Sequence, residues 1–215
     1  MHDRDGTDMI EIRLHRIYFP VTTLGFGQRL GVWVQGCERN CTSCISPEMQ
    51  SVDGPYQPLD VVLTQIPVDL PCDGLTISGG EPFDQADAVS ELAQWYRDHY
   101  NDDILIYTGY TLQQLRDKKD PAVERLIGLA AAIVDGPYVE ARNNGRGLYG
   151  SDNQTLHRFR YAERYQDFET AQRRVQCVAE HHRLVLIGVP PNGVRHDDKN
   201  RQTITEDPAT RLPSY

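Results

Sequence analysis

Apolar and polar positions alternate early in the chain, with Ile10, Ile12 and Leu14 separated by Glu11, Arg13 and His15. That period of two predicts a half-buried lead-in strand. After a flexible turn at Gly25 and Gly27, the run Leu30, Gly31, Val32, Trp33 and Val34 has no polar face. It predicts the first buried strand of a parallel sheet. Leu59, Val62, Leu63 and Ile66 then recur at i, i+3, i+4 and i+7, the stripe of a helix face. A second stripe runs through Val89, Leu92, Ala93 and Tyr96. A third, behind the helix start Asp120-Pro121, runs through Val123, Leu126, Ile127 and Ala130. Short apolar runs at 75–77, 104–107 and 132–134 separate these helices. Strand and helix therefore alternate, predicting an α/β fold of parallel strands joined by right-handed crossovers.

In such sheets the loops at the C-terminal strand ends converge on a ligand, and two of those loops carry candidate chemistry. Cys37, Cys41 and Cys44 form a C-x3-C-x2-C triplet just after the strand at 30–34. A [4Fe–4S] cluster normally takes four thiolates. Three close ones leave an iron open, as catalytic metal sites keep a position open. The competing readings are a zinc site completed by a histidine such as His15, or three buried thiols without a metal. Structural zinc usually shows paired C-x2-C elements or a histidine pair. The second loop, Ser78, Gly79, Gly80, Glu81 and Pro82, follows the strand at 75–77. Its glycines permit close backbone approach to a ligand, and the Glu81 carboxylate can accept hydrogen bonds from an ammonium group. Taken alone, such a turn is often a plain connection.

Composition narrows the function classes. A chain of 215 residues suits one domain with an extension. The 31 acidic residues outnumber 22 basic ones, for a formal charge of −9, which argues against a broad nucleic-acid-binding face. Residues 1–8 have no apolar core of the kind a signal peptide needs, and no stretch approaches the roughly 18 apolar residues of a membrane span. A cytoplasmic, membrane-free protein is expected. Five cysteines, three of them in one triplet, fit a reducing compartment better than a disulfide framework. Cys72 and Cys177 read as half-buried thiols, either of which could serve as a fourth ligand.

The triplet and the Gly-Gly-Glu-Pro turn together resemble the radical S-adenosylmethionine (SAM) superfamily. That resemblance implies a [4Fe–4S] cluster on Cys37, Cys41 and Cys44, with SAM chelating the open iron and residues 78–82 holding its methionyl amine. The implied architecture is an incomplete βα barrel of parallel strands. Further blocks are similar to the anaerobic ribonucleotide reductase activating protein family, over residues 17–158. They are Gly25-x-Gly27-x-Arg29, Tyr107-Thr108-Gly109-Tyr110, Val134-Asp135-Gly136 with Tyr138-Val139, and Gly150-Ser151-Asp152-Asn153-Gln154 with His157. Members of that family act as glycyl-radical-enzyme activases, in which a 5′-deoxyadenosyl radical removes a hydrogen from a backbone glycine of the partner reductase. The resemblance implies cofactor contacts at Ser78, Gly79, Gly80, Glu81, Pro82, Thr108, Asp135 and Asn153. It also implies a glycyl radical enzyme as protein substrate and an external one-electron reductant such as flavodoxin or ferredoxin. Three positions depart from the pattern: Phe26 stands for a proline, Ser43 for the aromatic residue of many radical SAM enzymes, and Pro137 for a lysine.

Two other functions stay open on the sequence. One is a radical SAM enzyme of the same fold that modifies another peptide or a small molecule. The other is a non-enzymatic iron–sulfur electron carrier or sensor, for which an amine-binding turn has no use. The expected organisation is a radical SAM unit at 10–160, a helix or strand extension at 161–193 and a mobile tail at 194–215. Residues 183–189 have strand composition and end at Pro190-Pro191-Asn192-Gly193, predicting a strand that caps the open sheet edge, in preference to a partner-binding element. Arg29 reads either as a ligand contact or as a solvated edge residue. Trp33 and Trp95 read as core, His181-His182 as surface, and His157 as a weaker candidate acid or base.

Overall fold

The computed structural model describes residues 9–180 and 183–190; His181, His182 and the tail expected at 194–215 lie outside them. In chain order the elements are β1 (Glu11–Ile12), β2 (Leu14–Val21), β3 (Arg29–Val34), β4 (Gln57–Pro58), α1 (Leu59–Leu63), β5 (Gly74–Gly79), α2 (Ala86–His99) and β6 (Ile104–Tyr107). They continue as α3 (Leu112–Asp117), α4 (Pro121–Leu129), β7 (Ala132–Asp135), β8 (Thr155–Arg158), β9 (Val175–Glu180) and β10 (Arg183–Gly188). Six strands share one sheet in the order β2-β3-β5-β6-β7-β8. The four central strands run parallel, as the alternating pattern predicts, while β2 and β8 pair antiparallel at the two edges. The sheet is thus mixed, a row with two ends. The incomplete βα barrel of parallel strands implied by the family likeness is met in part: the α/β character and the parallel centre are present, while the order shows a mixed six-stranded sheet with antiparallel edges and no barrel.

The central strands are apolar throughout because both faces are covered. Ile104 and Ile106 face one way, into a core with Ile77, Leu92, Tyr96, Leu126 and Ile133. Leu105, Ala132 and Val134 face the other, against Leu148, Tyr165 and Phe168. Each fully buried aliphatic side chain contributes about 1.5–3 kcal/mol, so the two-sided core fixes the register of β6 and β7. Helix α4 starts as its sequence predicts, with the Asp120 carboxylate accepting the Ala122 amide at 2.8 Å and Pro121 in the first turn. Helix α3 has a capping box between Thr111 and Gln114 that the hydrophobic pattern does not reveal, since its apolar stripe is only Leu112 and Leu115.

Several expectations change in the structure. Arg29 is neither a ligand contact nor a solvated edge residue. It is fully buried, and its guanidinium donates to Thr76 Oγ1 at 2.7 Å, to the Leu75 carbonyl at 2.7 Å and to Asp103 Oδ1 at 3.2 Å. Asp103 also faces Arg164 at 2.9 Å and accepts from the Tyr165 hydroxyl. This network sits at the start of β3 and β5, away from the cysteine loop. Trp33 is buried, whereas Trp95 is half-buried and stacks on His99 at 4.5 Å. Cys177 is exposed rather than half-buried. The strand expected to cap the sheet edge is β10, but it pairs with β9 in a separate two-stranded sheet. Ile187 and Val189 seat that hairpin on Val21, Leu24, Trp33 and Met49, because its alternate apolar positions match an apolar patch beyond the end of β2.

Candidate functional site

The C-terminal ends of β3, β5, β6 and β7 meet at one cavity of about 340 Å³, lined by Cys37, Cys41, Cys44, residues 78–81, Thr108, Gly109 and Gly136. Two motifs more than thirty residues apart in sequence thus face the same space. Backbone hydrogen bonds lock them together. The Gly80 amide donates to the Val34 carbonyl at 2.8 Å and the Glu81 amide to the Gly36 carbonyl at 2.9 Å. A Cβ on Gly79 would come within 2.4 Å of the Val34 oxygen, and one on Gly80 within 2.1 Å of the Gly36 oxygen. Gly79 also has a φ of +108°, where only glycine is unstrained. Both glycines therefore serve the approach of the turn to the strand that launches the cysteine loop.

The loop leaves β3 through Gly36, whose φ is +101°. Its return path is tied down where the Gly36 amide meets the Met49 carbonyl at 2.8 Å and the Cys37 amide the Gln50 carbonyl at 3.1 Å. All three cysteines are free thiols, each partly exposed to the cavity. Burial pushes the Cys37 thiol up to about 11 and raises Cys44 as well. Backbone donors from Arg39 to Cys37 and from Ser46 to Cys44 oppose that rise. Amide donors aimed at sulfur stabilise thiolates, the form that binds iron. Cys72 is elsewhere, bonded to the Gly74 carbonyl at the start of β5 and to the Tyr96 hydroxyl. Neither Cys72 nor Cys177 lines the cavity. Among the described residues no three His, Cys, Asp or Glu side chains converge on a single-ion position. The triplet is instead spread around a cavity, which suits a cluster whose thiolates bind different irons. The donor set and the space fit a [4Fe–4S] cluster with one iron left to another ligand.

Glu81 is 1% exposed and is held from three sides. Its carboxylate accepts from the Thr108 hydroxyl at 2.7 Å, the Gly109 amide at 2.8 Å and the Phe83 amide at 3.1 Å. Burial still pushes this carboxyl up to about 7. Thr108 and Glu81 thus tie the end of β6 to the turn after β5. Arg39, inside the cysteine loop, lies over the Tyr110 ring at 4.7 Å. The Tyr110 hydroxyl donates to Asp84 at 2.9 Å, and Asp84 accepts the Glu38 amide at 3.2 Å. The loop is therefore clamped to the β6 turn through Asp84 and Tyr110, which lie outside both motifs.

Of the expected cofactor contacts, Ser78, Gly79, Gly80, Glu81 and Thr108 line the cavity, whereas Pro82, Asp135 and Asn153 do not. Pro82 opens a buried 3-10 turn. Asp135 accepts the Leu112 amide at 2.6 Å and stands 2.9 Å from His157 Nε2, so it joins α3 to β8. Asn153 donates to the Pro137 carbonyl at 2.7 Å. Its neighbour Gln154 reaches the cavity, donating to the Gly136 carbonyl at 2.9 Å and accepting from the Gly150 and Ser151 amides. His15, weighed as a zinc ligand, and Tyr138, from the block after β7, also line the cavity, as do Arg16, Arg39 and β10, which sequence reasoning did not single out as lining. Nothing in the spacing of the last three marks them, because they come from the edge strand, the loop interior and the C-terminal hairpin.

Three thiols around an open cavity at the ligand-binding end of an α/β sheet define an iron–sulfur protein. The chain belongs to the 4Fe-4S single cluster domain family, a radical SAM-associated family whose description matches residues 23–157. That stretch contains both motifs and stops before the β9–β10 hairpin. No curated protein matches the chain. Among the described residues no helix is long and apolar enough to cross a membrane.

Proposed function

We propose that this protein is a radical SAM enzyme that binds a [4Fe–4S] cluster through Cys37, Cys41 and Cys44 and removes a hydrogen atom from a glycine of a partner enzyme. The observation that carries the reading is the shared cavity, in which the cysteine triplet and the turn at 78–81 are hydrogen-bonded into one unit. Cys37, Cys41 and Cys44 would hold the cluster and the turn at 78–81 would face SAM; with one electron from an external donor such as flavodoxin or ferredoxin, that pair would supply reductive cleavage of the sulfonium and the hydrogen-abstracting chemistry that follows, with methionine and 5′-deoxyadenosine as products.

The chain's own residues supply position and shielding. The three thiolates fix the cluster, and the amides of Arg39 and Ser46 stabilise two of them. The turn at 78–80 and the adjacent Glu81 line the cavity and would offer an ammonium group hydrogen-bond acceptors. Gln154 holds the loop at 150–151 against Gly136, closing the side of the cavity away from the cysteines. Trp33, Met49 and Leu24 form an apolar wall that keeps water from a reactive carbon radical. The decisive experiment is anaerobic reconstitution of the full chain with iron and sulfide, followed by reduction with SAM. About four irons per chain with 5′-deoxyadenosine formed is the expected result. Zinc without iron would overturn the assignment, and four irons without SAM binding would return the protein to the electron-carrier class.

A further inference from the structure

The β9–β10 hairpin lies outside the family-matched region, yet every residue from 184 to 190 lines the cavity and no residue of β9 does. A strand that touches a cavity with consecutive residues, not with alternate ones, meets it edge-on, since side chains on one face recur every second residue. The two-stranded sheet pairs β10 with β9 alone. The opposite edge of β10 therefore carries backbone N–H and C=O groups with no strand partner among the described residues. In antiparallel pairing the N–H and C=O of one residue point to the same side and the side alternates. Arg183 and Glu180 pair with only two residues between them, which makes them a hydrogen-bonded pair, as are Val185 with Val178 and Ile187 with Gln176; the backbone groups of Leu184 and Leu186 therefore point away from β9. The β9-facing edge is anchored further, since the Ile187 carbonyl also accepts the Thr23 hydroxyl at 3.0 Å.

The geometry points to β10 as a docking edge for an extended peptide segment, which adds a third strand to the hairpin and runs past the three cysteines with a glycine opposite the cavity. The occupant follows from the kind of surface offered. A strand edge recognises main chain, and removing a hydrogen from a glycine requires the backbone itself, with no side chain in between, to reach the reacting centre. The apolar surface does not stop at the cavity mouth: Leu184 is 72% exposed, so it extends beyond what a small molecule enclosed by the cavity would cover. An open edge of this kind would otherwise be a liability for aggregation. The identity of the reacting atom rests on the radical reading above, while the docking edge rests on the fold alone.

Binding of a fluorescein-labelled nine-residue peptide, alternating valine and threonine around a central glycine with a lysine at each end, tests this by anisotropy on the full chain. Two backbone-methylated versions carry N-methyl groups on the odd or on the even residues. Strand addition predicts that one methylated set loses at least tenfold in affinity and the other stays within about twofold, since only one edge of the peptide pairs. Leu186→Pro removes an edge N–H without touching the β9 ladder, a position where proline is tolerated, and should also lose at least tenfold with an unchanged circular dichroism spectrum. Absent binding, equal loss for both methylated sets, or a three-residue peptide binding as tightly as the nine-residue one would overturn the proposal. If Leu186→Pro unfolds, the side assigned to that N–H is wrong and the proposal falls with it. SAM cleavage is read separately on the same preparation: asymmetry without cleavage keeps the docking edge and removes the radical reading, and cleavage without asymmetry does the reverse.

Discussion

Glu81 offers a test in which two physical effects compete and the sign of one measurement decides between them. Its carboxylate is nearly solvent-free, which favours the neutral form, and it receives three donors, which favour the charged form. Burial dominates, and the carboxyl rises from 4.5 to about 7. Between those values the folded protein holds a proton that the unfolded chain has lost. Stability therefore falls as pH rises through this window. At about 1.4 kcal/mol per unit the interval corresponds to about 3 kcal/mol, a large part of the 5–15 kcal/mol typical of a domain. Other groups titrate too, so the comparison is with Glu81→Gln, which cannot ionise; contributions common to both chains cancel in the difference. Urea unfolding of the metal-free protein at pH 4.5, 5.5, 6.5 and 7.5, followed by tryptophan fluorescence, measures that difference. The wild type should lose about 3 kcal/mol relative to Glu81→Gln across the series, most of it by pH 7. A difference that is flat, or that grows in favour of the wild type with rising pH, would mean that the three donors outweigh burial and that the carboxylate is ionised throughout.

The remaining predictions concern other parts of the same framework. Asp103→Ala leaves Arg29 buried without its counter-ion, so unfolding free energy should drop by about 3–5 kcal/mol, read as a shift in the urea midpoint. Gly80→Ala places a methyl group where the Gly36 oxygen lies 2.1 Å away; the turn must separate from β3, and hydrogen exchange of the Gly80 and Glu81 amides should accelerate at least tenfold. Gly128, in α4, has no atom within 4 Å of an added Cβ, so Gly128→Ala should raise stability by about 0.5–1 kcal/mol. Cys41→Ala should abolish iron retention after anaerobic reconstitution and gel filtration, whereas Cys72→Ser should retain the wild-type iron content. Loss of iron in both would place Cys72 among the ligands.

How far the chain could be read without coordinates depended on whether a feature was local. The central strands were legible because both of their faces are covered, which leaves continuous apolar runs. The cysteine triplet and the Gly-Gly-Glu-Pro turn were legible because the residues of each lie close together in sequence. Edge strands were harder. In β8, Thr155, Leu156, His157 and Arg158 hold one buried apolar side chain, too little to register as a strand, and its antiparallel pairing with β7 leaves no local trace. Arg29 was unreadable for a different reason. A buried arginine depends on partners 46 to 74 residues away, and no spacing rule anticipates Asp103. Asn153 and Gln154 are neighbours of similar chemistry, so the motif located the loop but not which amide turns inward.

The hairpin joins these limits to function. Its strand composition was evident, and an uncovered sheet edge was the economical place to put one more strand. What decided otherwise was the alternation within β10. Ile187 and Val189 find Trp33, Met49, Val21 and Leu24, a patch that exists only after β2, β3 and the cysteine loop have assembled. The family-wide part of the chain ends at residue 157 and accounts for the cysteines, the glycine turn and the polar side of the cavity. The opposite wall comes from residues 184–190. Under the proposed function, a cofactor anchored on the first side would meet its substrate against the second, and selectivity would then belong to the segment that the motifs do not describe.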